Sequence, residues 1–164
     1  MRAMRAFLWV GVVAWGIGLG AKLFDLIVVA GAWSASPPSS FALLPYGKHY
    51  PIDPGDFFIP LSALILIGSV GALITGRREP ALRIWLWLGV IMFLIIWVLT
   101  PTVFWPMIER LYYTSTGKIT ATGLESVQLA RRWLIWDWIR VGLIAGGFLV
   151  SVKALSERSG AAPN

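Results

Sequence analysis

Cysteine is absent from the 164 residues, histidine occurs once, and charged residues make up only 13% of the chain. Without cysteine there is no disulfide framework, thiolate metal site or catalytic thiol. A single histidine excludes a two-histidine haem, a 2-His-1-carboxylate iron site and a histidine-rich zinc site. No strand pattern precedes a glycine-rich phosphate loop, and no nucleophile elbow or serine triad can be assembled. The scarcity of charge says most. A soluble domain carries about a quarter charged residues, whereas this chain is 57% hydrophobic. It reads as an integral membrane protein, a single domain over residues 1–164 with room for four spans of ~20 residues and short connections.

The net charge of +6 does not point to nucleic acid. The basic residues fall at the ends of apolar runs and form no stripe, as anchors of helix ends do. The lipid bilayer is the expected partner.

The expected fold class is all-α, a four-helix transmembrane bundle with a long Pro-rich first extracytoplasmic loop. The spans fall at about residues 6–33, 57–75, 81–104 and 133–153. Arg2 and Arg5 ahead of an apolar run imitate a signal peptide. The run continues past Lys22 and Asp25 to Trp33 without a small-residue cleavage site, so it is expected to stay as the first helix. Gly11, Gly16, Gly18 and Gly20 along it allow close helix approach. Residues 34–54 hold Pro37, Pro38, Pro45, Pro51 and Pro54, which forbid a regular helix. The aromatic content of that loop argues for a packed lid. Asp53 reads as an N-cap, with Pro54 at the first helical position and Asp56 in the first turn. Thr100-Pro101 and Trp105-Pro106 interrupt the third run and predict a kink, with Glu109 and Arg110 an ion pair near the interface. Thr122 and Glu125 form a capping-box pattern that starts the fourth helix near Gly123.

With four spans, one side carries Arg2, Arg5, Arg77, Arg78, Arg83, Lys153 and Arg158, and the other carries Lys48, Arg110, Lys118, Arg131 and Arg132. The positive-inside rule then puts both termini in the cytoplasm. The expected location is the cytoplasmic membrane of a bacterium. Trp33, Trp105, Trp133 and Trp136 would form the outer aromatic belt, and Trp9, Trp85 and Trp87 the inner one.

Four charges remain inside the spans. Lys22 and Asp25 share a face of the first helix, and Asp137 and Arg140 share a face of the fourth. At the helical rise, Asp25 lies ~12 Å in from Trp33, and Asp137 and Arg140 ~6 Å and ~10 Å in from Trp133. All four therefore fall in the outer half of the membrane and sum to zero. Each alone in hydrocarbon costs several kcal/mol, so the first and fourth helices are expected to be neighbours, with Asp137 or Arg140 touching Lys22 or Asp25. Gly142 and Gly146 would permit that approach.

A carboxylate buried beside an arginine is suited to accept a proton from an acidic carbon or a phenol. Asp137 is the first candidate base, Asp25 the second and His49 of the loop the third. Arg140, Lys22, Trp133, Trp136 and Trp138 are candidates for binding an aromatic substrate. The bland readings stand beside these: intramembrane charge pairs also lock helices, tryptophans also pack, and a loop histidine is often only solvated.

The length, the four spans, the Pro-rich first loop, Arg132-Trp133 and the polar position 137 followed by Arg140 resemble the anthrone-oxygenase-like family of small membrane proteins. The stretches Tyr50-Pro-Ile-Asp53 and Phe58-Ile-Pro60 look like a form seen in some bacterial members. This resemblance implies oxidation of a phenolic anthrone to an anthraquinone by dioxygen, with no metal or flavin cofactor. A base would form a carbanion that meets oxygen directly. Many members carry asparagine or histidine where this chain has Asp137. Two readings follow: a cofactor-independent oxygenase or proton-abstraction enzyme for a lipophilic aromatic, or a non-catalytic four-helix protein binding a hydrophobic ligand or a partner subunit.

The four-span arrangement has a direct check. Topology reporters fused after Gly76 and after Lys118 should report opposite sides of the membrane, and a shared side would defeat it.

Overall fold

The computed structural model describes residues 2–46 and 52–157. Four helices long and apolar enough to cross a membrane make up the chain: α1 (Arg2–Trp33), α2 (Pro54–Gly76), α3 (Pro80–Ser115) and α4 (Gly123–Glu157). It is an all-helical membrane protein. Each helix packs on its neighbours in chain order, and α4 closes the square against α1.

The helix ends follow the local sequence. At the start of α2, Asp53 accepts from the Gly55 N–H while its own N–H donates to Asp56 Oδ2 at 2.9 Å. Both aspartates thus satisfy N–H groups that a helix leaves orphaned. At α4, the Thr122 N–H donates to Glu125 Oε2 at 2.9 Å, and the Glu125 N–H donates back to Thr122 Oγ1 at 3.2 Å. The end of α3 is closed by Gly117 at φ 72°. With that left-handed residue in place, the Lys118 N–H reaches the Tyr113 carbonyl at 2.9 Å and the Gly117 N–H that of Thr114 at 3.2 Å.

Two helices change pitch in mid-course. In α1 the residues Asp25–Val29 form a π-helical turn, and in α3 the residues Thr100–Phe104 form another. The kink expected at Pro101 takes this second form. Proline brings no N–H to the ladder, and the wider turn absorbs its ring without breaking the helix. The Thr100 and Thr102 hydroxyls donate to the Ile96 and Val98 carbonyls at 2.8 and 2.7 Å. In lipid such carbonyls depend on partners supplied by the protein itself. The π-turn in α1 carries no proline.

The interior is layered along the bundle axis. Met4, Leu8, Ala72, Leu82 and Ala154 fill the end that holds both termini. Ala14, Trp15, Leu61, Phe93 and Ile144 fill the middle. Leu26, Trp33, Phe104, Leu111 and Trp133 fill the far end, where Phe41 and Leu44 of the first loop join them. The loop is therefore packed as expected from its aromatic content, with a short 3₁₀ turn at Ser39–Leu43. Trp33 and Trp133 belong to this core and not to the outer belt, each under 5% exposed, and their rings meet edge to face at 5.1 Å. Trp105, at 60% exposure, does face outward.

Of the glycines expected to allow close approach, Gly11, Gly16 and Gly18 of α1 do face neighbouring helices, whereas the pair on α4 does not serve. A Cβ on Gly68 would lie 2.5 Å from the Gly11 nitrogen, so α1 and α2 touch backbone to backbone. Between α1 and α4 the fit is Trp15 against Gly147, where a Cβ would sit 2.6 Å from the indole. Gly142 meets nothing within 4 Å and Gly146 faces Met92 of α3, so their spacing does not join α4 to α1. Glu109 is likewise turned to Tyr113, whose hydroxyl donates to it at 3.1 Å. It forms no ion pair with Arg110, because successive residues on a helix do not share a face.

Gly68→Ala should therefore lower stability by about 1–3 kcal/mol, as overpacking does, while Gly142→Ala should stay within about 0.5 kcal/mol. Thermal unfolding of the two variants in detergent gives the comparison.

Candidate functional site

The intramembrane charges meet in one row across α1 and α4. Asp25 is ion-paired with Lys22, one turn before it on the same helix. Lys22 Nζ lies 3.1 Å from Asp137 Oδ2 on α4. The other carboxylate oxygen of Asp137, Oδ1, accepts from Arg140 Nε at 2.8 Å and also from its terminal nitrogen. The order is minus, plus, minus, plus. Each inner charge has an opposite charge on both sides, and the sum is zero. Arg140 pairs with Asp137 and not with Asp25, so the contact between the helices is carried by Lys22 and Asp137.

Burial grades along the row. The Asp137 side chain is fully enclosed and that of Lys22 is 5% exposed, whereas those of Asp25 and Arg140 keep 17% and 14%. Aromatic faces replace water around the two cations. Lys22 Nζ stands 5.2 Å from the Trp133 ring and 5.6 Å from that of Phe58, and the Arg140 guanidinium lies 3.8 Å over Phe104. Such contacts are worth about 2 kcal/mol each when desolvated. Trp133 thus serves both the apolar core and the row.

Both π-turns border this row. Asp25 is the first residue of the one in α1, and Phe104 the last of the one in α3. A π-turn inserts one residue into the helical register, which re-aims the side chains beside it. Phe58 stood out in the sequence only as part of the Phe58-Ile-Pro60 stretch and Phe104 not at all, and the fold shows both as walls of the row.

The first loop covers the same end. Tyr46, half-buried, packs against the core that contains Trp33, Phe41 and Trp133. Burial first, then the nearby Asp25 carboxylate, pushes its phenol above the ordinary tyrosine range, against the opposing pull of Arg140. Tyr46 was visible in the sequence only as part of the loop's aromatic content. His49, the third expected base, lies outside the described residues.

One feature of Asp137 stands apart. Oδ2 is buried and makes no hydrogen bond, although Lys22 is within Coulomb reach. The Trp133 indole N–H is also buried without a partner. Buried polar atoms are ordinarily hydrogen-bonded, and among the described residues Oδ2 is met only by the Lys22 ammonium at 3.1 Å.

The remaining expected residues are placed elsewhere. Trp136 is half-buried and borders a groove of about 310 Å³ between α3 and α4, a groove that includes none of the four charges. Trp138 is 54% exposed on the outside of the bundle. Among the described residues, no three histidine, cysteine, aspartate or glutamate side chains gather as metal ligands do.

Four apolar helices around a neutral row of buried charges define a polytopic membrane protein with an ionisable centre. A family model described as anthrone oxygenase matches residues 51–150, more than half of the chain, and the chain belongs to that family. Phe58, Phe104, Trp133, Asp137 and Arg140 lie within the matched stretch; Lys22, Asp25 and Tyr46 precede it. No curated protein and no solved structure matches the chain.

The row predicts a sign reversal in a mutant cycle. Lys22→Met leaves two carboxylates facing each other and should cost about 3–5 kcal/mol, the penalty for orphaning a buried charge. Adding Asp25→Asn to it leaves the Asp137–Arg140 pair neutral and should restore part of that loss. Detergent melts of both variants decide it, and strictly additive losses would rule out the coupling.

Proposed function

We propose that this chain is a membrane-embedded oxygenase of the anthrone-oxygenase kind, acting on a lipophilic phenolic aromatic without a cofactor. The observation that carries the reading is Asp137 Oδ2, an acceptor atom inside a charge row and unused by any hydrogen bond. In this reading Asp137 takes the proton from the methylene carbon between the aromatic rings. Lys22 and Arg140 stabilise the negative charge that spreads onto the substrate oxygen, and Phe58, Phe104 and Trp133 hold the ring plane. The carbanion passes its electrons to dioxygen and a C–O bond forms as a hydroperoxide. Loss of the second C–H proton with cleavage of the O–O bond then releases water and leaves the carbonyl. One anthrone and one dioxygen give one anthraquinone and one water.

Because Asp137 is fully enclosed, substrate reaches it only when the covering loop with Phe41, Leu44 and Tyr46 lifts. Asp25 then holds Lys22 in place while Asp137 changes charge. The loop end of the bundle faces away from the cytoplasm in this reading, with both termini inside, in keeping with the distribution of lysine and arginine.

A second reading rests on the same closure. The Asp137 and Lys22 side chains are closed off and each charge has an opposite partner, as they would be in a non-catalytic bundle locked by ion pairs. That bundle would bind a hydrophobic ligand or a partner subunit.

Oxygen uptake by the purified protein in detergent, supplied with a phenolic anthrone, separates the two. The enzyme reading requires uptake above the spontaneous rate. Asp137→Asn should lower it by about a hundredfold or more, the ordinary worth of a positioned base, measured below the melting temperature of both forms. Wild-type uptake at the spontaneous rate supports the second reading, and an Asp137→Asn variant as fast as wild type removes Asp137 from the chemistry.

A further inference from the structure

The groove between α3 and α4 has a polarity of its own. It is lined on α3 by Val103, Pro106, Met107 and Arg110, and on α4 by Arg132 and Trp136, with Thr102 and Leu129 completing it. The two helices are antiparallel, so position along them gives depth. Arg110 lies near the end of α3, and Arg132 lies in the first part of α4, toward the same hairpin. Thr102 and Val103 on α3 and Trp136 on α4 lie further in. The groove is therefore cationic at the hairpin end and mostly apolar toward the membrane interior.

Both arginines are exposed, and among the described residues neither forms an ion pair. Glu125, at the same end, is engaged by Thr122 at the α4 cap. Arg110 feels Glu125 only through space, and two guanidinium groups outside any salt bridge at the mouth of an apolar channel match a ligand with an anionic head and a hydrocarbon body. At about 310 Å³ the groove takes a headgroup and the adjoining part of one chain. Its charged end points the way a lipid headgroup points, toward the interface, and Trp105 on the same stretch of α3 is 60% exposed, as interfacial belt residues are.

We infer that this groove is a binding site for one anionic phospholipid, its phosphate held between Arg110 and Arg132 and its chain laid along Met107, Val103 and Trp136. The site is separate from the charge row, and its occupation does not depend on what the row does.

Native mass spectrometry of the full chain in a neutral detergent tests it, with phosphatidylglycerol and phosphatidylcholine of the same chain length offered at equal concentration. The anionic lipid should be retained about tenfold or more over the zwitterionic one, as two arginine contacts to a headgroup allow. Arg110→Gln/Arg132→Gln should bring the two lipids to parity with the melting temperature unchanged. A second variant, Leu129→Glu, keeps both arginines and sets a carboxylate in the groove; it should lose the same preference. Glycerol phosphate without chains should not displace the lipid. Equal retention of both lipids by the wild type, preference surviving in both variants, or full displacement by glycerol phosphate would each overturn the assignment, the last by reducing the groove to a simple anion site.

Discussion

The fold depends on four charges being buried only in each other's company. A lone lysine or aspartate in the hydrocarbon region costs several kcal/mol, and helices in lipid gain little from the hydrophobic effect when they pack together. Placing Lys22 within 3.1 Å of Asp137 fixes which face of α1 meets which face of α4 and at what depth. A register shift of one turn between the two helices would separate the pairs and leave single charges facing lipid. The row therefore acts as a register device whatever else it does, much as a buried polar residue fixes alignment in a coiled coil.

The aromatic residues make that arrangement tolerable. Phe104, Phe58 and Trp133 present their electron-rich faces to the two cations, which lowers the cost of withdrawing those cations from water without adding further charge. Bringing Phe104 over Arg140 requires α3 to be turned locally, and the π-helical segment ending at Phe104 supplies the turn. The loop then seals the end by burying Phe41 and Leu44. The family described as anthrone oxygenase, to which this chain belongs, is thus represented by a fold with Asp137 and Lys22 closed off at its centre.

Much of this could be read from the residues alone. Long apolar runs separated by Gly-Pro punctuation define four helices, and the Asp53 and Thr122 caps declare where two of them begin, because capping is a local interaction. The meeting of α1 and α4 was legible too, since unpaired charges at matched depth in a membrane have few ways to be satisfied. Interactions that depend on facing surfaces were not. Trp33 and Trp133 have the composition of belt residues, and only their packing against each other and Phe41 makes them core. Glycines occur along all the helices, and spacing does not say whether a given one meets a backbone, as Gly68 does, or open space, as Gly142 does. The π-turn at Asp25–Val29 has no proline to announce it, and nothing in its local sequence accounts for it.

The contact of Gly11 with Gly68 also sets the mechanics of the molecule. Where Gly11 meets Gly68, α1 and α2 touch with no side chain between them, so at that level there is no rotamer to flip and no slack to take up. At the opposite end the same two helices are joined by the 34–53 connection, and α1 is tied to α4 by the Lys22–Asp137 ion pair and by the packing of Trp33 on Trp133. α1 is thus held to α2 by backbone at one level and to α4 by side chains at another, and only the second contact can adjust by changing a rotamer. A small angular change at the Gly11–Gly68 contact is magnified along the ~30 Å of helix above it, so that one contact governs how far apart α1 and α2 stand at the loop end.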